Sequence, residues 1–396
     1  MEKSIKILSE YCTGCGLCAS ILNVQTRIDT KGFLYPKLDE EHLSLCKKVC
    51  PAAGYALRNY SDGSILGKVL DVKLGWSNDE KIRHVASSGG IITSICVYLI
   101  QNKIVDGIIQ TRKASDDVRK VETIVSRTVE DVLSCMGSRY TASSPLLNIK
   151  QLVEKGKKYA FVGKPCDVSA LRMYKETTDE EWVKQITLML SFFCAGQPSL
   201  AANDKLLKIL GCDNREGCDD LQYRGNGWPG FATARLKNGN ENKVDYETAW
   251  MKVLGRDVRR SCRFCADGTG EYADISCGDA WYLTPDKKPD LTEHLGRNVI
   301  FARTKYGASL LNEVINAGII SVEDYDVDKD GLRCSQPYHY TRKASLSSLK
   351  LALLLCGRAF PYYDNGKLKM FAKELSFKGK LLRFIGTVQR IWNHKI

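Results

Sequence analysis

The stretch Tyr159-Ala-Phe-Val-Gly163-Lys-Pro-Cys166-Asp167-Val-Ser-Ala-Leu-Arg-Met-Tyr174 decides the fold. Its first five residues form an apolar run of strand length, and 167–174 read as a helix. The turn Gly163-Lys164-Pro165-Cys166 lies between them, where an open α/β sheet places its ligands. It lacks the glycine spacing of a P-loop or a dinucleotide fingerprint, so no nucleoside triphosphatase is implied. Outward from this unit the alternation repeats. Residues 69–74, 106–110, 186–193 and 298–303 read as strands, and 90–101, 146–155, 199–210 and 308–317 as helices. This pattern predicts an α/β fold with a mainly parallel sheet over 66–335. Around 231–246 it changes to a hairpin turned at Asn238-Gly239. The last stretch, 336–396, lacks strand signals and reads as a helical tail.

Composition narrows the classes. With 44% hydrophobic and 26% charged residues, the 396-residue chain is neither disordered nor fibrous. No stretch approaches the roughly 18 apolar residues of a membrane span. The opening residues leave no room for a signal peptide before Cys12, so a cytoplasmic chain with reduced thiols is expected. Sixteen Cys against five His then call for metal, and thiolates favour zinc or iron–sulfur clusters. The scattered His support no Ser-His-Asp or Cys-His hydrolase. The net charge of +12 is local, because residues 367–396 hold eight Lys/Arg and one acid, Glu374. A nucleic-acid-binding surface is therefore not expected.

Cys12-Thr-Gly-Cys15-Gly-Leu-Cys18 can wrap three corners of a cubane, with Gly14 and Gly16 letting amides approach the sulfurs. Cys50-Pro51 fits the remote fourth ligand of a 4Fe–4S cluster, and a structural zinc site is the alternative. The segment 1–60 resembles a two-cluster ferredoxin domain that has lost one cluster. Leu22, Glu40 and Leu43 stand where that pattern needs cysteines, which leaves Cys46 alone. The polar break 59–64 marks its boundary.

Further landmarks follow in order: Ser87-Ser88-Gly89-Gly90 before an apolar helix, Gly137-Ser138-Arg139-Tyr140, Gly163-Lys164-Pro165-Cys166, Phe193-Cys194-Ala-Gly, Tyr223-Arg224-Gly-Asn226-Gly-Trp228, Cys262-Arg-Phe-Cys265 and Ala273-Asp-Ile-Ser-Cys277-Gly-Asp-Ala-Trp281. Hydroxyls and glycine amides at a helix start suit a phosphate, although the same four residues also make an ordinary cap. Together the landmarks resemble the coenzyme F420 hydrogenase and dehydrogenase beta-subunit family. That resemblance implies an iron–sulfur flavoprotein oxidoreductase holding FAD and two 4Fe–4S clusters. Its relatives include hydrogenase and formate dehydrogenase subunits, chlorophyll-pigment reductases and accessory proteins of surface-polysaccharide pathways.

The family pattern suggests Cys166, Cys194, Cys262 and Cys265 as the second ligand set, whereas local spacing would nominate Cys277 in place of Cys166 or Cys194. Ser87, Ser88, Gly89, Gly90, Ser138, Arg139, Tyr140, Lys164, Arg224 and Asn226 are the expected FAD contacts. Among these, Arg139, Lys164 and Arg224 are the cations for phosphate or for the reduced flavin. Cys96, Cys135 and Cys356 read as core residues, and Cys212 and Cys218 flank an acidic loop. A ferredoxin or deazaflavin would be the redox donor, with a partner subunit. An electron-transfer adaptor and a cluster-bearing structural factor are the rival readings. In the tail, Leu381, Leu382, Phe384, Ile385, Val388, Ile391 and Trp392 form a helical stripe flanked by Lys and Arg. Such a helix either docks on its own core or lies peripherally on an anionic membrane.

Overall fold

Strand–helix alternation leaves most of the chain wound around a single eight-stranded sheet. The computed structural model describes residues 2–54, 64–212, 217–329 and 331–393. A small hairpin comes first, β1 (Thr26–Ile28) and β2 (Leu34–Pro36), between short helices Leu17–Leu22 and Leu43–Val49. The polar break at 59–64 lies, except for Ser64, outside the described residues. The later strands are β3 (Asp71–Ser77), β4 (Gly107–Lys113), β5 (Val121–Ser126), β6 (Tyr159–Gly163), β7 (Ile186–Phe192), β8 (Cys218–Gln222), β9 (Phe231–Leu236), β10 (Glu241–Asp245), β11 (Ile275–Asp279), β12 (Asn298–Ala302) and β13 (Ile320–Asp324).

The large sheet runs β13-β3-β12-β11-β7-β6-β4-β5. Its middle pairings, β4–β6, β6–β7 and β7–β11, are parallel. Both flanks are antiparallel, so the expected mainly parallel sheet is a mixed one. The connection from β4 to β5 shows why. It is closed by a hydrogen bond from Ala114 N to Lys120 O (3.1 Å), far too short for a crossover.

Alternate residues of the central strands serve opposite faces. Ile108, Ala160, Leu188 and Leu190 pack against helices Ile91–Gln101 and Lys305–Asn316. Ile109, Tyr159, Phe161 and Met189 pack against Val168 and Leu171 of helix Pro165–Thr177. Full burial of each large side chain contributes about 1.5–3 kcal/mol, so helix Ile91–Gln101 is held by Ile91, Ile95 and Leu99.

The N-terminal segment is wedged between this sheet and the tail. Leu17 and Val49 join the sheet-side core, whereas Ile7, Leu8, Tyr11 and Leu43 pack with Leu346, Leu353 and Ile391 of the C-terminal helices. After residue 331 the described chain is helical, as the missing strand signals predict. The helix expected over 146–155 is a single turn, Ile149–Leu152, because Val153 turns extended and Gly156 takes φ 79°. The β9–β10 hairpin adds β8 to form a separate three-stranded sheet. Among the described residues, no helix is long and apolar enough to cross a membrane.

Candidate functional site

The loop from Cys12 to Cys18 is shaped by two left-handed glycines. A Cβ on Gly14 (φ 73°) would run into the Arg259 guanidinium, and one on Gly16 (φ 91°) would lie 2.6 Å from the Leu147 amide. No side chain fits either position. Arg259 anchors the loop, donating from Nε to Cys12 O at 2.5 Å, and Ser261 Oγ donates to the same oxygen at 3.1 Å. Gly14 N points at Cys12 Sγ (3.3 Å). Cys50 ends helix Leu43–Val49, with its amide on Cys46 O.

The thiols of this loop and of Cys50 act on one another. Burial pushes the Cys18 thiol well up, and Cys15, Cys12, Cys46 and Cys50 push it further. Cys50 is raised by burial and then by Cys46, Cys15 and Cys12. Cys46, which the ferredoxin pattern leaves alone, is therefore a fifth member of this nest, and burial raises its thiol to about 11. Crowded, buried thiolates repel, so the arrangement suits a cationic metal centre.

A second nest forms where separate elements end. Cys166 opens helix Pro165–Thr177 after β6, Cys194 follows β7, and Cys262 and Cys265 sit on and just after the turn Arg260–Arg263. The four line one cavity of about 40 Å³ with Thr13, Pro51 and Ala52 of the N-terminal segment. Burial and then Cys262 raise the Cys194 thiol to about 11. Gln197 N donates to Cys262 Sγ at 3.3 Å, a backbone amide aimed at sulfur. The buried Arg342, from helix Pro337–Ala344, donates to Cys194 O at 3.0 Å. Cys277 is not in this group. It sits in β11 among Ile300, Leu190 and Cys96 in the core.

Beside the small cavity lies a large one, about 300 Å³, at the carboxyl ends of β4, β6, β7 and β11. This is the position a doubly wound sheet uses for ligands, and the volume is at the low end of roughly 300–1,000 Å³ for ligand pockets. Ser87, Ser88, Gly90, Ser138, Arg139, Tyr140, Lys164 and Arg224 all line it. The Ser138 amide donates to Ser87 Oγ (2.6 Å), which ties two of the expected loops together. Gly90 takes φ 81° at the start of helix Ile91–Gln101, with no side-chain cap. The Ile91 amide is on Asn298 Oδ1 at 3.5 Å, and the next residues, Ile92 and Thr93, line the cavity.

Two expected contacts fall elsewhere. Gly89 does not line the cavity, since a Cβ there would meet Asn298 Oδ1 and Gly75 O at 2.8 Å. Its glycine serves close packing on the sheet. Asn226 is exposed, and its side chain donates to Gln222 Oε1.

The three expected cations differ. Arg224 is 2% exposed and committed, with two hydrogen bonds to Asp279 (2.9 and 3.1 Å) and one to Pro229 O. It also stacks on Tyr246 and Trp281. Lys164 donates to Ser143 Oγ (2.7 Å) and pairs with the buried Asp167 (2.8 Å). Burial alone would lower the Lys164 ammonium, but Asp167 and Cys166 hold it above its usual range. Arg139 alone of the three keeps a buried Nε without a partner, and burial lowers its pKa. Arg139 also lines the cavity, and a guanidinium there that is not committed to an internal acid fits an anionic group such as a pyrophosphate.

Other lining residues gave no signal as separate positions. Trp250, presented from the π-helix Glu247–Val253, packs its ring 4.7 Å from that of the expected contact Tyr140. His339 reaches the cavity from the tail, buried, with Nδ1 unpartnered.

Comparison with known proteins bears on the fold and the family. Two family models match, both of the beta subunit of coenzyme F420 hydrogenase/dehydrogenase. Residues 72–151 match the model of its amino-terminal part, and residues 156–328 that of its carboxy-terminal part. The coenzyme F420 hydrogenase subunit beta of Methanococcus voltae is 26% identical over 67% of this chain and 89% of its own. The chloroplastic 7-hydroxymethyl chlorophyll a reductase of Oryza sativa subsp. japonica is 24% identical over 77% of this chain and 61% of its own. A chain of the F420-reducing [NiFe] hydrogenase complex from Methanosarcina barkeri superposes with a TM-score of 0.59 at 20% identity. That superposition covers 77% of this chain and 99% of the other, and shows a shared fold.

Proposed function

The chain belongs to the coenzyme F420 hydrogenase/dehydrogenase beta-subunit family, and from that premise we propose that it is an iron–sulfur flavoprotein oxidoreductase. In this reading Cys12, Cys15, Cys18 and Cys50 hold one 4Fe–4S cluster, and Cys166, Cys194, Cys262 and Cys265 a second. FAD occupies the large cavity. The observation that carries the reading is a shared wall. Lys164, Cys194, Gly196 and Gln197 line both cavities, while Thr13 and Pro51 reach the small one from the N-terminal nest. Electron transfer needs short gaps between centres, and this layout sets three sites in a row.

FAD, when bound, would supply the exchange between single electrons and a hydride. The chain's own groups would hold it. Arg139, whose Nε has no internal partner, would offer its guanidinium to negative charge, and the helix start beyond Ile91, at Ile92 and Thr93, would offer amides to phosphate. Ser87, Ser88, Ser138 and Tyr140 line the same space. Lys164, held by Asp167 and Ser143, orients the turn between the cavities, and Arg224 braces the aromatic wall through Asp279. The acceptor is organic or a deazaflavin, and nothing in the cavity singles out a surface-polysaccharide pathway. A ferredoxin or reduced deazaflavin would donate electrons, and the hydrogenase relatives named as subunits make a partner subunit part of the proposal.

Anaerobic purification with iron, acid-labile sulfide and flavin assays tests it. Two clusters predict about eight irons per chain together with one flavin. Iron without flavin would reduce the protein to a cluster-bearing structural factor. Turnover only in the presence of a co-purifying large subunit would make it an electron-transfer adaptor.

A further inference from the structure

The last helix, Phe377–Trp392, carries more apolar surface than its docking uses. One side packs on helix Leu346–Leu355 and buries Thr387 and Ile391. The adjoining side presents Leu381, Ile385 and Trp392, which recur at helical spacing and are all exposed. Leu382 beside them is 60% exposed, Trp392 73%, and Phe377 at the helix start 82%. The supporting helix adds Leu351, Leu354 and Leu355, exposed on the side opposite its buried Leu346, Leu349 and Leu353. Single exposed leucines need no explanation. Eight large apolar side chains on two packed helices do.

Charge says what covers them. Residues 367–396 carry eight Lys/Arg, and their one acid, Glu374, is paired with Arg333. Lys378 and Arg383 stand exposed on the same helix as the apolar stripe. Protein–protein interface cores are depleted in lysine. A Leu, Ile, Phe and Trp face flanked by Lys and Arg is instead the pattern of a helix lying in a headgroup layer. Anionic lipid adds attraction for each nearby cation. At sixteen residues the helix does not cross a bilayer, so it would lie along the surface.

We propose that the paired helices Leu346–Leu355 and Phe377–Trp392 dock this chain on an anionic membrane surface, with Trp392, Leu382 and Phe377 inserted and Lys378 and Arg383 at the headgroups. This inference does not depend on the redox reading. The test is co-sedimentation of the full chain with vesicles of phosphatidylcholine alone, or of two parts phosphatidylcholine to one part phosphatidylglycerol. Binding is expected to the anionic vesicles and to weaken with salt. Leu381→Glu with Ile385→Glu, both at exposed positions, should lower binding by about tenfold without changing iron content or melting temperature. Lys378→Gln with Arg383→Gln should weaken binding most at low salt. A full chain that stays in the supernatant with both vesicles overturns the proposal. So does undiminished binding by the double-Glu variant. A lipid-free dimer that the double-Glu variant dissociates would assign the face to a second copy instead.

Discussion

The two cysteine nests are built in opposite ways. The N-terminal one is mainly local, with three thiols on one tight loop whose path is fixed by Gly14 and Gly16, and two more on either side of a single helical turn. The second gathers Cys166, Cys194 and the Cys262/Cys265 pair from the ends of β6 and β7 and from a distant turn. A local nest exists wherever its loop folds. A dispersed nest exists only when the sheet is assembled, and in turn it ties the sheet, the N-terminal segment and the tail together.

That contrast predicts unequal consequences for equivalent substitutions. Cys265→Ser should remove about half of roughly eight irons, lower the melting temperature and weaken flavin retention, because the nest shares its wall with the large cavity. Cys15→Ser should also remove about half of the iron, yet leave flavin bound. Parallel iron, flavin and melting measurements on the two variants check this. Equal flavin loss in both would mean that the nests form one cooperative unit.

The large cavity offers a similar contrast between two arginines. Arg224→Ala leaves the partly buried Asp279 with Trp228 Nε1 (3.3 Å) as its remaining side-chain donor and removes the brace under Tyr246 and Trp281, so it should cost about 3 kcal/mol in chemical denaturation, the lower end for breaking a buried ion pair. Arg139→Ala removes a side chain whose Nε has no internal partner, so stability should hardly change. Flavin affinity should instead fall about tenfold, or roughly 1.4 kcal/mol, by loss of a charge-assisted contact. Flavin titration of the apoprotein reads this directly. Unchanged affinity would remove Arg139 from the cofactor's surroundings.

The legibility of each region followed the same division. The strand–turn–helix at 159–174 and the Cys12–Cys18 loop were readable because period and spacing are local properties. Strand β11 was not, since Ile-Ser-Cys-Gly-Asp hides a central strand buried over its first four residues behind small and polar residues. Gly278 is small there because the Phe193 ring presses into the space where its Cβ would be. Arg139, Lys164 and Arg224 have equal standing as residues in a sequence, and only the positions of Asp167 and Asp279 separate them. His339 and Arg342 were invisible because the tail returns to the cavities from the far end of the chain. Even the glycines divide, as Gly90 adopts a left-handed turn while Gly89 is held small by the sheet. Substituting both would therefore damage packing and cap together, which makes Arg139 the cleaner probe of flavin binding.

The smallest expected effect sharpens the first comparison most. Five thiols crowd the N-terminal nest, but a 4Fe–4S cluster takes four protein ligands. Cys46 is 2% exposed and packs in the apolar cluster with Tyr11, Leu43 and Leu353, as a small hydrophobe would. Cys50 precedes Pro51, and Pro51 lines the cavity of the second nest, which places that end of the segment between the two sites. Cys46→Ala should therefore cost about 1 kcal/mol of stability while leaving iron and sulfide at the parent level. Cys50→Ala should lose about half of the iron. If the two variants exchange these outcomes, Cys46 is the fourth ligand, and the lost cluster of the ferredoxin pattern has left its third cysteine in use.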